Sequence, residues 1–293
     1  MVIYKHFILL SALGLAGCIT YYQPDLLSGI DPPRANRGTS VGVAFNRYVA
    51  TAYFDGRGSS PHTKTTERPD RKYTRSDIIF STFARIKGFT DVCVVLPISG
   101  VSQRTGPYGI ASDNWGIEHV WLGASLLHSS RRRANLLLVI GLPLNGKLST
   151  LASAAENHNS SMRLMLEPLF SNGTPSGRFG YYLRLGAGIH VNPDVGGVSS
   201  IHELPGEFRV LAPLGKTFHL GFRADARFTL ITYSGARGTQ SHDVVGIGPY
   251  ASLALGTGWH IDAGYRSEVI GYFATAGSSW NVNMSYDFAG TRH

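Results

Sequence analysis

Charged side chains recur at every second position along several stretches of this chain, and that spacing is its main chemical material. Between Phe218 and Thr232, the residues Arg223, Asp225 and Arg227 alternate with Phe222, Ala224, Ala226 and Phe228. Arg184 alternates with Tyr181, Leu183 and Leu185, and Asp262, Arg266 and Glu268 alternate with Ile261, Tyr265 and Val269. The same parity gathers Arg75, Asp77, Arg85, Asp91, Arg163, Glu167, Arg178, Glu207, Arg209 and Asp287. Turned toward one enclosed space, such groups can do either of two things. They can pair across strands and hold a narrow interior rigid, or they can line a polar pathway whose arginines favour anionic solutes. The signs are nearly balanced, so both readings stay open. Arg184, Arg223, Arg227 and Arg266 are the strongest candidates, because their stretches have the clearest alternation, with Asp225, Asp262 and Glu268 beside them.

Other candidate chemistry is weaker. His158 and Ser160, two apart, would share one strand face, and the imidazole could take the hydroxyl proton as a general base. Only Asn192 is a candidate to orient that imidazole, so a polar loop end is the preferred reading and lipid hydrolysis an alternative. Gly141 to Lys147 mimics a phosphate-binding loop, but Leu148 follows where a magnesium-ligating hydroxyl is needed and Pro143 interrupts it. No histidine pair has zinc spacing with a third ligand. The expectation is a non-enzymatic protein without catalytic residues, cofactor or metal.

The elements that must position these charges are strands. Period two is the signature of a strand with one apolar and one polar face. A run of charge this dense cannot face a sandwich core, and fifteen residues is long for a globular strand. Of 293 residues, 16% are charged and 35 are glycine; soluble domains carry about 25% charge, so a soluble helical bundle is disfavoured. Past the first segment the longest strongly apolar run is 136–144, too short for a spanning helix of about 20 residues.

About twelve strands are expected, near 40–54, 72–87, 89–99, 114–128, 134–145, 161–170, 178–190, 206–214, 218–232, 244–255, 259–269 and 280–288. Long polar connections at 55–71, 100–113, 146–160, 192–205 and 234–243 alternate with short ones. That is how an outer-membrane up-and-down β-barrel is built, with an even strand number returning both ends to the short-turn side. Trp259, Trp280, Tyr286 and Phe288 fall near strand ends, where interfacial aromatic girdles belong.

Residues 1–17 read as an export signal: Lys5 and His6, an apolar run from Phe7 to Ala16, then small residues. Leu15-Ala16-Gly17-Cys18 resembles the bacterial lipobox, which implies acylation of Cys18 and a lipid-anchored N-terminus on the periplasmic side of the outer membrane. Residues 18–38 are expected to form a tether or partial plug, and 39–293 the barrel. With Cys18 acylated, Cys93 has no partner for a disulfide and reads as a small buried hydrophobe. The net charge of +8, behind an export signal, points to anionic lipid headgroups rather than to nucleic acid. The expected partners are the outer membrane and a small solute, and the expected state is a monomer.

Two stretches carry a resemblance to a family. DVCVVLPI (91–98) is similar to an apolar strand ending in Leu-Pro, and DNWGIEHVWLGASLL (113–127) with LLLVIGLPLNG (136–146) is similar to a following strand and turn. In both, the pattern resembled is that of the outer-membrane barrels associated with meta-pathway phenol degradation. The resemblance implies a transporter, here for a small solute of aromatic or anionic kind. The chain departs at Glu118, where the family usually has Asp, and at Leu144-Asn145. An outer-membrane phospholipase, also a twelve-stranded barrel, uses a His-x-Ser pair like His158 and Ser160, but the residues around that pair differ here. A structural or interaction lipoprotein is the remaining alternative.

Overall fold

The computed structural model describes residues 39–54, 65–67, 71–85, 91–105, 112–117, 119–129, 134–144, 162–171, 180–191, 198–234, 238–255, 258–272 and 274–288. Everything in them that is regular is strand. The elements are β1 (Thr39–Phe54), β2 (Thr65–Glu67), β3 (Arg71–Arg85), β4 (Asp91–Thr105), β5 (Ser112–Gly116), β6 (His119–Ser129), β7 (Ala134–Pro143) and β8 (Met162–Ser171). There follow β9 (Gly180–Leu185), β10 (Ala187–Val191), β11 (Val198–Pro213), β12 (Phe218–Tyr233), β13 (Thr239–Leu255), β14 (Trp259–Tyr272) and β15 (Ala274–Phe288).

All pairings are antiparallel and run between strands near one another in sequence, and β15 returns to pair with β1 from Thr39↔Phe288 to Phe54↔Ala274. The main sheet is therefore closed on itself, as a membrane-spanning sheet must be; among the described residues β2 pairs only with β1 and β5 only with β4. Two of its staves are each made of two strands. β5 and β6 both pair with β4, in registers one residue apart, with Leu96, Pro97 and Ile98 between the two ladders. β9 and β10 both pair with β8 and β11 and are separated only at Gly186. Counting each of these as one stave gives the expected twelve-stranded antiparallel barrel, with β2 as a short addition to β1.

Several boundaries move outward from the sequence expectation. β11 begins at 198, not 206, and β13 at 239, not 244, so connections expected as long loops are the short segments 192–197 and 234–238. The run His202-Glu203-Leu204-Pro205-Gly206 reads as a turn because it is polar and contains proline. It is strand because Glu203 faces a polar interior, and because Gly186 lies opposite Pro205. The Gly186 N–H donates to the Pro205 carbonyl at 2.7 Å, and a Cβ on Gly186 would stand 2.7 Å from Pro205 Cγ. The long connections that remain are 55–70, which contains β2, and 144–161. At the other end, β11 and β12 are joined by 214–217, where Gly215 has φ +147° and the Leu214 N–H donates to the Phe218 carbonyl at 2.9 Å.

The faces are reversed relative to a water-soluble protein. On β12, Phe218, Leu220, Phe222 and Phe228 are exposed, while His219, Arg223, Asp225, Arg227 and Thr229 are buried. Tyr181, Leu185, Ile189, Phe208, Ile247, Val282 and Met284 are likewise exposed on the outside. Apolar side chains outside and charged ones inside satisfy a barrel whose solvent is hydrocarbon. Trp259, Tyr286 and Phe288 form a contiguous aromatic group at the short-turn end, with successive ring centroids 5.0 Å apart.

Candidate functional site

The inward positions of β9 and β11–β14 carry one continuous ion-pair network. Strand alternation places Glu207 and Arg209 on β11, Arg223 and Asp225 on β12, and Arg266 and Glu268 on β14 on the same face. The register sets Glu207 opposite Asp225 and Arg209 opposite Arg223. Arg266 links the two acidic residues of its neighbourhood, with Nε 2.6 Å from Asp225 Oδ1 and Nη1 2.9 Å from Glu268 Oε1. Arg223 spans Glu207 at 3.0 Å and Asp225 at 3.5 Å. Arg209 donates to Glu207 at 2.5 Å, and Arg184 of β9 stands 3.6 Å from the other oxygen of Glu207. Four guanidiniums thus converge on three carboxylates. Arg209, Arg223 and Arg266 are only 2–3% exposed, so each charge lies where pairing is strong and salt screens it little.

Tyrosines close this network at its margins. The Tyr48 hydroxyl of β1 donates to Glu268 Oε2 at 2.7 Å, and the Gly277 N–H of β15 donates to the same oxygen at 2.8 Å. Arg209 lies over two rings, with its guanidinium carbon 4.8 Å from the Tyr182 centroid and 4.7 Å from that of Tyr250. It also donates to the Tyr250 hydroxyl at 3.0 Å. A guanidinium stacked between aromatic faces keeps its plane fixed. None of these tyrosines is conspicuous in sequence. Their one signal is that they keep the inward parity of their strands.

Of the other sequence candidates, Arg227 is buried on the same face as Asp225, two residues along β12. Asp262 is buried on β14, opposite Asn283 of β15 and Ser252 of β13, nearer the short-turn end. At that end His260 Nε2 stands 3.2 Å from Asp287 Oδ2. Toward the opposite end, Glu203 accepts from or pairs with His190 at 2.8 Å and faces Arg163 at 3.6 Å. Arg75 and Asp77 form a separate inward group with Ser99 and Asn46: Arg75 donates to Asp77 at 2.9 Å and to Ser99 at 2.8 Å. Cys18, His158 and Ser160 lie outside the described residues.

Alternation does not single out the remaining inner wall, of which only Cys93 is expected as a small buried hydrophobe, and it is buried there. Ala44, Ile79, Phe83, Cys93, Val95, Trp121, Val139, Met165 and Tyr182 are buried in one apolar cluster, drawn from β1, β3, β4, β6, β7, β8 and β9. Trp121 bridges it to the polar group, with the Arg163 guanidinium 5.9 Å from its ring centre and the His119 ring 5.5 Å away. The middle of the barrel interior therefore has a mainly apolar wall and a charged wall that meet at Trp121 and Tyr182, with apolar pairs such as Ile201 and Ile231 beyond the charged wall toward the long-connection end.

Solved structures with this architecture include an outer-membrane channel and autotransporter domains. The COG4313 outer membrane channel from Pseudomonas putida F1 superposes with a TM-score of 0.62 at 12% identity, over 88% of this chain and all of that one. The β domain of the Bordetella autotransporter BrkA gives 0.53 at 14% identity, over 86% and 100%. The translocator domain of the autotransporter NalP from Neisseria meningitidis gives 0.50 at 15% identity, over 90% and 92%. No family model matches the chain, and no curated protein matches it. The likeness is one of fold: this chain is built as an outer-membrane β-barrel.

Proposed function

We propose that this protein is an outer-membrane channel or transporter for small solutes of aromatic or anionic character. The observation that carries the reading is the divided interior. An apolar wall centred on Phe83, Trp121 and Met165 faces a wall in which guanidiniums outnumber carboxylates. A small aromatic carboxylate has one part suited to each. Arginine supplies the anion preference, since its charge is permanent and its donors match a carboxylate. The reading places the short-turn end in the periplasm, with Cys18 acylated there. Its partners are the surrounding lipids and the solute, and the protein acts as a monomer.

One observation favours a second reading. The charged lining residues are buried in the conformation described, as expected of ion pairs that make the barrel rigid. On that reading the protein is a structural or interaction lipoprotein. Single-channel conductance of the folded protein in a planar bilayer under a salt gradient separates the two. The transport reading expects discrete steps with anion preference, weakened in Arg223→Ala and Arg227→Ala, and uptake of benzoate into proteoliposomes above that of a neutral sugar. A folded barrel that passes neither ions nor benzoate overturns it.

A further inference from the structure

The outer surface holds a feature that the interior does not explain. On β1 the outward positions run Val41, Val43, Phe45 and then Arg47, an exposed cation on a wall otherwise facing hydrocarbon. The register fixes its neighbours. Arg47 lies directly opposite Trp280 of β15 on one side and Ser76 of β3 on the other. Trp280 in turn lies opposite Tyr265 of β14, and both rings are exposed. Beyond Ser76 the row continues to Gly100 of β4 and to Trp115 of β5. Trp115 lies over Gly100, where a Cβ would stand 2.5 Å from its ring, and is 62% exposed.

This row of cross-strand neighbours is a chemical boundary. Toward the short-turn end the outward residues are apolar: Phe45, Val282 and Phe80. Toward the long-connection end Val49 is followed by hydroxyls and a second exposed cation, Thr51, Thr74 and Lys72. Tryptophan and tyrosine at such a boundary mark the level of the lipid headgroups. A guanidinium at that level needs an anion. Among the described residues of β14, β15, β1 and β3, no carboxylate shares its face. Arg47 is thus placed to take an anion at the headgroup level.

We propose that Arg47, set between Trp280 and Ser76, binds a phosphate of lipid A in the outer leaflet, with Lys72 adding charge above it. A phosphate oxygen pair suits the guanidinium fork, and the flanking rings pack against the first carbons of the acyl chains. The proposal rests on the barrel orientation given above, with the long connections outside.

The experiment measures binding of purified lipopolysaccharide to the detergent-folded protein, and the rise in unfolding temperature it causes. Heat-modifiable gel mobility confirms that each variant is folded. The expected result is saturable binding that raises the unfolding temperature, weakened roughly tenfold in Arg47→Ala by loss of one charge-assisted contact and largely kept in Arg47→Lys. Lipopolysaccharide stripped of its lipid A phosphates should lose the effect, and phosphatidylglycerol should not reproduce it. Equal binding by folded Arg47→Ala, or equal stabilisation by phosphatidylglycerol, overturns the proposal. No conductance enters this assay, so its failure and that of the transport reading are told apart.

Discussion

From β9 round to β14 the inward positions carry arginine and carboxylate, whereas from β3 to β8 they carry mainly isoleucine, phenylalanine, valine, tryptophan and methionine. Both halves obey the same alternation, share the same closed ladder and turn an apolar face outward. They differ in what holds them together. The charged half depends on every group having a partner, because a buried charge left alone is costly. The apolar half depends on close packing, which loses energy in proportion to the volume removed. Arg75 and Asp77 form an ion pair set within the apolar half and completed by Ser99 and Asn46, and Arg163 of β8 is a further buried charge there, facing Glu203 of β11.

This contrast ranks four substitutions by expected cost, each read as a change in unfolding free energy by denaturant titration in lipid vesicles. Arg266→Ala should cost most, about 3–5 kcal/mol, because it strips the nearest cation from both Asp225 and Glu268. A loss below about 1 kcal/mol would mean water reaches these carboxylates, and the charged wall is then softer than its burial implies. Met165→Ala should cost about 2–5 kcal/mol by leaving a cavity in the apolar cluster. If this variant proves as costly as Arg266→Ala, packing rather than pairing dominates both walls.

Gly246→Ala sharpens the comparison from the other side. A Cβ there would overlap the Arg266 guanidinium, so the charged wall should lose about 1–3 kcal/mol from added rather than removed volume. The smallest effect is expected for Ile79→Val, about 0.5–1.5 kcal/mol, in the apolar wall. A larger loss than for Gly246→Ala would reverse the ranking and place the rigid part of the barrel in the apolar half.

The two halves were not equally legible in the sequence. Where the lumen is charged, as in Phe218 to Thr232, the two faces differ sharply and the alternation names which residues point inward. Where the lumen is apolar, as in Leu136-Leu137-Leu138-Val139-Ile140, both faces are hydrophobic and period two vanishes. That is why alternation does not name Trp121, Val139 and Met165 as inward residues, although the strands that carry them are legible. The extension of β11 through Pro205 was hidden for a related reason. A polar strand segment inside a barrel has the composition of a surface loop.

Sequence alone determined the closed-barrel architecture, its twelve staves and the inward parity of Arg184, Arg223, Asp225, Arg227, Asp262, Arg266 and Glu268, because side-chain direction in a strand is a local property of the backbone. Tertiary structure alone decided which of these meet. The 41-residue separation of Asp225 and Arg266, and the 220-residue separation of Tyr48 and Glu268, close only through strand register and the curvature of the sheet. Register is set by the summed pairing of whole strands, and no single stretch of sequence contains it.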